Sequence, residues 1–280
     1  SSVDQVGIFT RDAYDNGMVL SSLAGYDAHD GTSTAPFDHY DYVKEIENFI
    51  PRGKKIGVIS NAINAQGITT EAKNLFLDTL KEFEKMGVTV EYIDMPMMDY
   101  AAAVYFVISR AEAASNLARY DGVRYGLRTS TKNNLIDMYC DSRHDGFGAC
   151  VKRRIMVGNY VLSAGYAHKY YDKARKVQVK MKEEFFGALK KYDMLFAPSS
   201  PAPAFEIGGI KNSLEIDLQD YFTCPANLTG IPAVSFPCGF INNMPMGFQL
   251  FGDRFTEGAL LGMGHAYQQQ TTWHLQKPSL

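Results

Sequence analysis

Only four cysteines occur in 280 residues, Cys140, Cys150, Cys224 and Cys238. Their spacing fits neither a zinc signature nor a disulfide framework, so they are read as ordinary thiols of a reducing compartment, cytoplasm or organellar matrix. The histidines His29, His39, His144, His168, His265 and His274 include no His-x-x-x-His pair and no His-Glu-x-x-His. A metal-hydrolase reading therefore has no ligand set to start from. No stretch of 18 apolar residues is present, and the first residues show no basic-then-apolar targeting pattern. Charge of one sign is also lacking: 28 Lys and Arg stand against 31 Asp and Glu, for a net charge of -3. The chain as a whole exerts no electrostatic pull on nucleic acid.

What is present belongs to a core-forming protein, with 46% apolar residues and enough length for one large or two ordinary domains. Lys55-Ile-Gly-Val-Ile59 reads as a short strand. Thr69 opens a helix whose apolar stripe is Ala72, Leu75, Phe76, Leu80, Phe83 and Met86, and Val88 to Ile93 alternates as a second strand. Strand, helix, strand is a parallel crossover unit. Ser60-Asn-Ala-Ile-Asn-Ala-Gln-Gly67 follows the first strand and has no phosphate-cradling pattern, so the unit is scaffold. Residues 97–196 read as mostly helical, interrupted at Gly158, Gly165 and Gly187. Tyr192 to Ala197 reads as a buried strand stopped by prolines. The expected fold is mixed α/β, a twisted sheet covered by helices, with strands near 55–60, 88–94, 193–197, 233–237 and 247–251.

Three runs carry more than periodicity. They are Ala111-Glu-Ala-Ala-Ser-Asn-Leu-Ala-Arg-Tyr-Asp-Gly-Val-Arg-Tyr-Gly126, Gly146-Phe-Gly-Ala-Cys-Val-Lys-Arg-Arg-Ile155, and Ala226-Asn-Leu-Thr-Gly-Ile-Pro-Ala-Val-Ser-Phe-Pro-Cys-Gly-Phe240 with Pro245 to Gly252 after it. In these runs the chain closely resembles the A subunits of glutamyl-tRNA(Gln)/aspartyl-tRNA(Asn) amidotransferases, which are amidase-signature enzymes. The resemblance extends from Ser1 to about Trp273. It implies that residues 1–280 are the C-terminal part of a single amidase-signature domain, with the family's Lys-Ser-Ser catalytic set upstream of Ser1. No catalytic residue is therefore assigned within the chain. Ser199 and Ser200 lie among prolines without a glycine turn and are not taken as nucleophiles. A polypeptide of these residues alone is expected to be inactive, and to self-associate or pair with a complementing chain through uncovered apolar surface.

The resemblance also implies a function and a site. The family hydrolyses glutamine and passes ammonia to a partner that converts Glu-tRNA(Gln) to Gln-tRNA(Gln). Implied partners are glutamine, the B and C subunits, and aminoacyl-tRNA indirectly through the B subunit. No membrane is involved, no cofactor is expected in this chain, and ATP and Mg belong to the partner subunit, as does the phosphate-binding surface for tRNA. Glutamine is a zwitterion, so its site needs a cation for the α-carboxylate and an anion for the α-ammonium, and arginine's planar fork suits the first. Arg154 matches the family's carboxylate-binding arginine, Asp220 the aspartate at the amino group, and Tyr105 a tyrosine of the same pocket. Arg154 and Asp220 are expected in one cavity, beside the loop of residues 198–203 and the turn of residues 227–232. The chain departs from its relatives at Ala197-Pro-Ser-Ser-Pro-Ala-Pro-Ala204, which loses two threonine hydroxyls near that pocket. Two other readings stay open: part of a stand-alone amidase for another small amide, and a non-catalytic binding or assembly module.

Overall fold

The computed structural model describes residues 2–34, 40–130, 134–209 and 220–277. Its contacts divide the chain into two compact units. One comprises residues 5–99 and 181–280, and the other residues 1–4 and 100–180.

The first unit is built on a five-stranded sheet of order β2-β1-β3-β5-β4. Its strands are β1 (Lys55–Ile59), β2 (Thr89–Ile93), β3 (Met194–Pro198), β4 (Ala233–Ile241) and β5 (Met244–Phe251). β1 pairs in parallel with both β2 and β3, while β5 pairs antiparallel with β3 and β4. All five expected strands are found. Ahead of the sheet lie α1 (Ala13–Leu23) and α2 (Tyr42–Glu47), and the one-turn α3 (Ser60–Ile63) follows β1 directly. The crossover between β1 and β2 is α4 (Thr70–Lys85), whose first turn is capped by the Thr69 hydroxyl accepting from the Ala72 amide at 3.2 Å.

Alternation along the strands decides what each sheet face buries. Ile56, Val58, Met194, Phe196, Phe248 and Leu250 point into one core with Phe76 and Phe83 of α4. Phe83 lies 5.7 Å from Phe248 and Phe196 lies 5.2 Å from Phe248, ring centre to ring centre. Phe251 points to the other face and meets Phe185 edge-on at 5.8 Å. A strand covered on both faces has no reason to alternate, which is why Met194 to Pro198 is apolar throughout.

β4 and β5 run further than expected, joined as a hairpin across Asn242 and Asn243 at φ 50° and 61°. Asparagine tolerates that left-handed backbone, and two such residues make the tight turn that suits a twisted hairpin. Pro237 argued for a short strand, yet it is accommodated because β4 is an edge strand and its register shifts between Pro237 and Gly239.

The second unit is helical: α5 (Ala101–Leu117), α6 (Leu135–Gly146), α7 (Ala149–Leu162) and the first part of α8 (Tyr171–Leu189). Asn134 caps α6 by accepting from the Asp137 amide at 2.9 Å. α5 and α7 pack tightly because α7 presents a glycine. A Cβ built on Gly158 would lie 2.0 Å from the Arg110 carbonyl oxygen. The residue read as a helix interruption is thus the contact point of a helix pair.

Candidate substrate-recognition site

β1 and β3 run in parallel and end side by side, and the loops leaving them gather polar groups. After β3, the Ser199 amide donates to the Gly247 carbonyl at 3.1 Å, and the Ser200 hydroxyl donates to the Ala202 carbonyl at 2.8 Å. Neither serine is hydrogen-bonded to a lysine or histidine among the described residues.

Asp220 stands at the start of a turn that feeds α9 (Cys224–Thr229). Its carbonyl accepts from the Thr223 amide at 3.1 Å and the Cys224 amide at 2.9 Å, and its side chain is exposed. One buried residue ties this turn to the loop after β3. The Gln249 side-chain amide on β5 donates to the Pro198 and Phe222 carbonyls, each at 2.7 Å. Gln249 thus joins the end of β3 to Phe222, two residues after Asp220, through a side chain the sequence reading passed over. The signal was available: a glutamine in the apolar run Gly247-Phe-Gln-Leu-Phe-Gly252 is a buried polar group that needs partners. Gln249→Leu should strip two buried carbonyls of their donor. We expect it to destabilise the protein by about 2–4 kcal/mol in urea unfolding.

A second polar cluster adjoins the turn. The Tyr221 hydroxyl donates to Asp99 at 2.8 Å, and the Asn61 amide donates to the same carboxylate oxygen at 3.0 Å and to the Met95 carbonyl at 3.0 Å. Burial, and then the Asp99 bond, push the Tyr221 hydroxyl well above the usual tyrosine range, so it remains a neutral donor. Ser60 to Gly67 was read as plain scaffold after β1. Asn61 shows that it also braces the turn next to Asp220.

Arg154 and Tyr105 lie in the helical unit. Arg154 is on an exposed side of α7, with no hydrogen bond or ion pair to another described residue. Tyr105 is half-buried on α5. The structure thus places these two on the helix pair that closes at Gly158, and Asp220 in the unit with the sheet.

A groove of about 980 Å³ runs elsewhere on the sheet unit, between residues 5–13 and the outer side of β4. Its wall includes Glu257, the first residue of α10 (Glu257–Gln270). Burial, and then the Glu45 carboxylate, raise the Glu257 carboxyl above its ordinary value of 4.5, and one of its oxygens has no hydrogen-bond partner. A carboxyl whose pKa is raised by folding favours the native state when protonated, and opposes it as pH rises through the folded value. Glu257→Gln should therefore raise the thermal midpoint at pH 7, by roughly 2 °C for a chain of this size. That gain should vanish as the pH falls below 4.5.

With the sheet order and the Asp220 turn described, comparison with known proteins decides the family: the amidase profile matches residues 1–261. The chain belongs to the amidase family. Along its whole length the chain is 43% identical to the A subunit of the glutamyl-tRNA(Gln) amidotransferase of Geobacillus sp. (strain WCH70), and 46% identical to that of Desulforamulus reducens. It spans 57% of the length of each of these relatives. Among solved structures, the A subunit of the glutamyl-tRNA(Gln) amidotransferase of Thermotoga maritima superposes with a TM-score of 0.76 at 36% identity, covering 97% of this chain and 54% of that one. A bacterial aryl acylamidase superposes with a TM-score of 0.72 at 18% identity, a likeness of fold alone. The amidase-signature fold expected from the sequence is the fold observed.

Proposed function

We propose that residues 1–280 form the substrate-recognition part of the glutamine-hydrolysing A subunit of a tRNA-dependent amidotransferase, which converts Glu-tRNA(Gln) to Gln-tRNA(Gln). The observation that carries this reading is the 42–46% identity, over the entire chain, to proteins of that name. In this reading the Arg154 guanidinium holds both oxygens of the glutamine α-carboxylate, Asp220 meets the α-ammonium, and the Tyr105 hydroxyl completes the pocket. An exposed arginine without an anionic partner suits a group whose partner is the substrate. Gln249 and Asn61 fix the backbone and neighbours of Asp220, so recognition rests on groups that do not reorganise when glutamine arrives.

The covalent step belongs to the Lys-Ser-Ser set that the family carries ahead of these motifs. The freed ammonia passes to the B subunit, with the C subunit completing the complex. ATP and Mg act at that partner, where the acceptor carboxyl is activated. The complex works in the cytoplasm or an organellar matrix, and no helix among the described residues is long and apolar enough to cross a membrane.

The test uses the full-length protein assembled with its B and C subunits. Charged with Glu-tRNA(Gln), ATP and glutamine, it should form Gln-tRNA(Gln), read as the amino acid released on deacylation. Failure to form it, with robust hydrolysis of other small amides by the same preparation, would instead establish a stand-alone amidase.

A further inference from the structure

The net charge of -3 conceals a division. The helical unit, residues 1–4 and 100–180, carries fourteen Lys and Arg against seven Asp and Glu, a net of +7. The unit with the sheet carries fourteen against twenty-four, a net of -10. The expectation drawn from the net charge applies to the chain as a whole, and that sum averages two units of opposite net charge.

Part of that basic charge is ordered into a row. Lys169, Lys173, Lys176 and Lys180 are all exposed and fall at helical spacings of four, three and four. Lys173, Lys176 and Lys180 stand on α8, and Lys169 stands in the turn just before it, where the Tyr170 amide donates to the Tyr166 carbonyl at 3.0 Å. At ~1.5 Å per residue the helical part of the row is about 10 Å long. None of the four lysines is ion-paired with a described carboxylate. Buried Ala174, Gln178 and Met181 occupy the adjoining side of the helix.

Tyrosines are interleaved with the lysines. Tyr166 and Tyr170 are 39% and 41% exposed, and both pack on Tyr160, at 4.5 Å and 5.9 Å between ring centres. Tyr166 and Tyr170 also lie 6.1 Å apart between ring centres, so the three rings form one cluster. Lys169 Nζ stands 5.8 Å from the Tyr166 ring centre. A row of unpaired cations beside a fixed aromatic platform matches a strand that offers phosphates at intervals and bases between them. An acidic protein would use the cations and leave the rings idle.

We propose that this face of the helical unit binds RNA, with the lysine row taking successive phosphates and bases stacking on Tyr166 and Tyr170. The proposal rests on charge and ring geometry and is independent of the glutaminase reading, whose readout is ammonia.

The test is fluorescence anisotropy of the full-length chain with a labelled tRNA transcript and a labelled U-rich single strand, between about 50 and 200 mM KCl. Replacing all four lysines by Gln should weaken binding at least ten-fold. For the single strand, it should make the slope of log affinity against log salt shallower by roughly 3. Arginine at the same four positions should retain both. Tyr166→Ala with Tyr170→Ala should weaken binding on the order of ten- to hundred-fold and leave the slope unchanged. The substituted side chains are on the surface, and circular dichroism melts check that the fold survives. No binding by the wild type, unchanged affinity and slope in the Gln variant, or unchanged affinity in the Ala variant each overturns the proposal. Displacement of RNA by polyglutamate at equal potency per charge also overturns it, and assigns the face to an acidic protein.

Discussion

Arg154→Ala in the full-length protein should lower kcat/KM for glutamine by about 30- to 1000-fold. The range corresponds to roughly 2–4 kcal/mol, the worth of a charge-assisted two-pronged contact to a carboxylate. Arg154 is exposed on α7 and makes no ion pair with a described residue, so its removal leaves no protein group stranded. Stability should hardly change. Arg154→Lys should recover little activity, because an ammonium cannot present two parallel donors. The control is a simple amide without an α-carboxylate, whose hydrolysis should be unaffected. Equal loss with both amides would make the arginine structural and remove its part in glutamine recognition.

Gly158→Ala is expected to be the most damaging one-carbon change in the helical unit. Alanine favours a helix over glycine by up to ~1 kcal/mol, but here the added Cβ would lie 2.0 Å from the Arg110 carbonyl oxygen and 2.6 Å from the Ala114 Cβ. The first of these is backbone, so the clash is relieved only by prising α5 and α7 apart. The net loss should be about 3 kcal/mol, at the upper end for overpacking. Gly187, on α8, is the internal comparison. A Cβ there meets nothing within 4 Å, so Gly187→Ala should be neutral or stabilising by up to ~1 kcal/mol. Urea unfolding of the two variants separates clash from helix propensity. Since Arg154 is one turn before Gly158 on the same helix, Gly158→Ala should also blunt the preference for glutamine over a simple amide.

The periodic parts of this fold were legible in the sequence. The stripe from Ala72 to Met86 gave α4, and five short apolar runs gave five strands, because a helix or strand half-covered by the core must repeat with its own period. What stayed hidden was set by partners distant in sequence. Pro237 looked like the end of a strand until the sheet order made β4 an edge, where a missing amide costs nothing. Gly158 looked like a break until α5 closed on it. Gln249 looked like one polar residue in an apolar run, yet it joins residues 198 and 222. Of the candidate site, Arg154, Asp220 and Tyr105 were named from the resemblance, and the bracing of the turn after Asp220 by Gln249, Asn61 and Asp99 was not foreseen. The division of charge stayed hidden for a related reason: a sum over the chain carries no information about which unit holds it.

The placement of β3 between β1 and β5 also bears on how this chain reaches its fold. β4 and β5 meet across two residues, and β1 and β2 across the segment of α3 and α4, so both pairs close shorter loops than β3 does. β3 must find β1 from about 140 residues away, as the contact between Lys54 and Asp193 at a separation of 139 shows. It must also find β5 some 50 residues ahead, a separation of 51 between Pro198 and Gln249. The entropy of loop closure grows with the logarithm of length and is lost before any contact rewards it. The central strand, buried on both faces and apolar throughout, is therefore expected to be the last to gain its neighbours. Within the sheet, the segment expected to be most prone to misassociation during folding is its middle and not its edge.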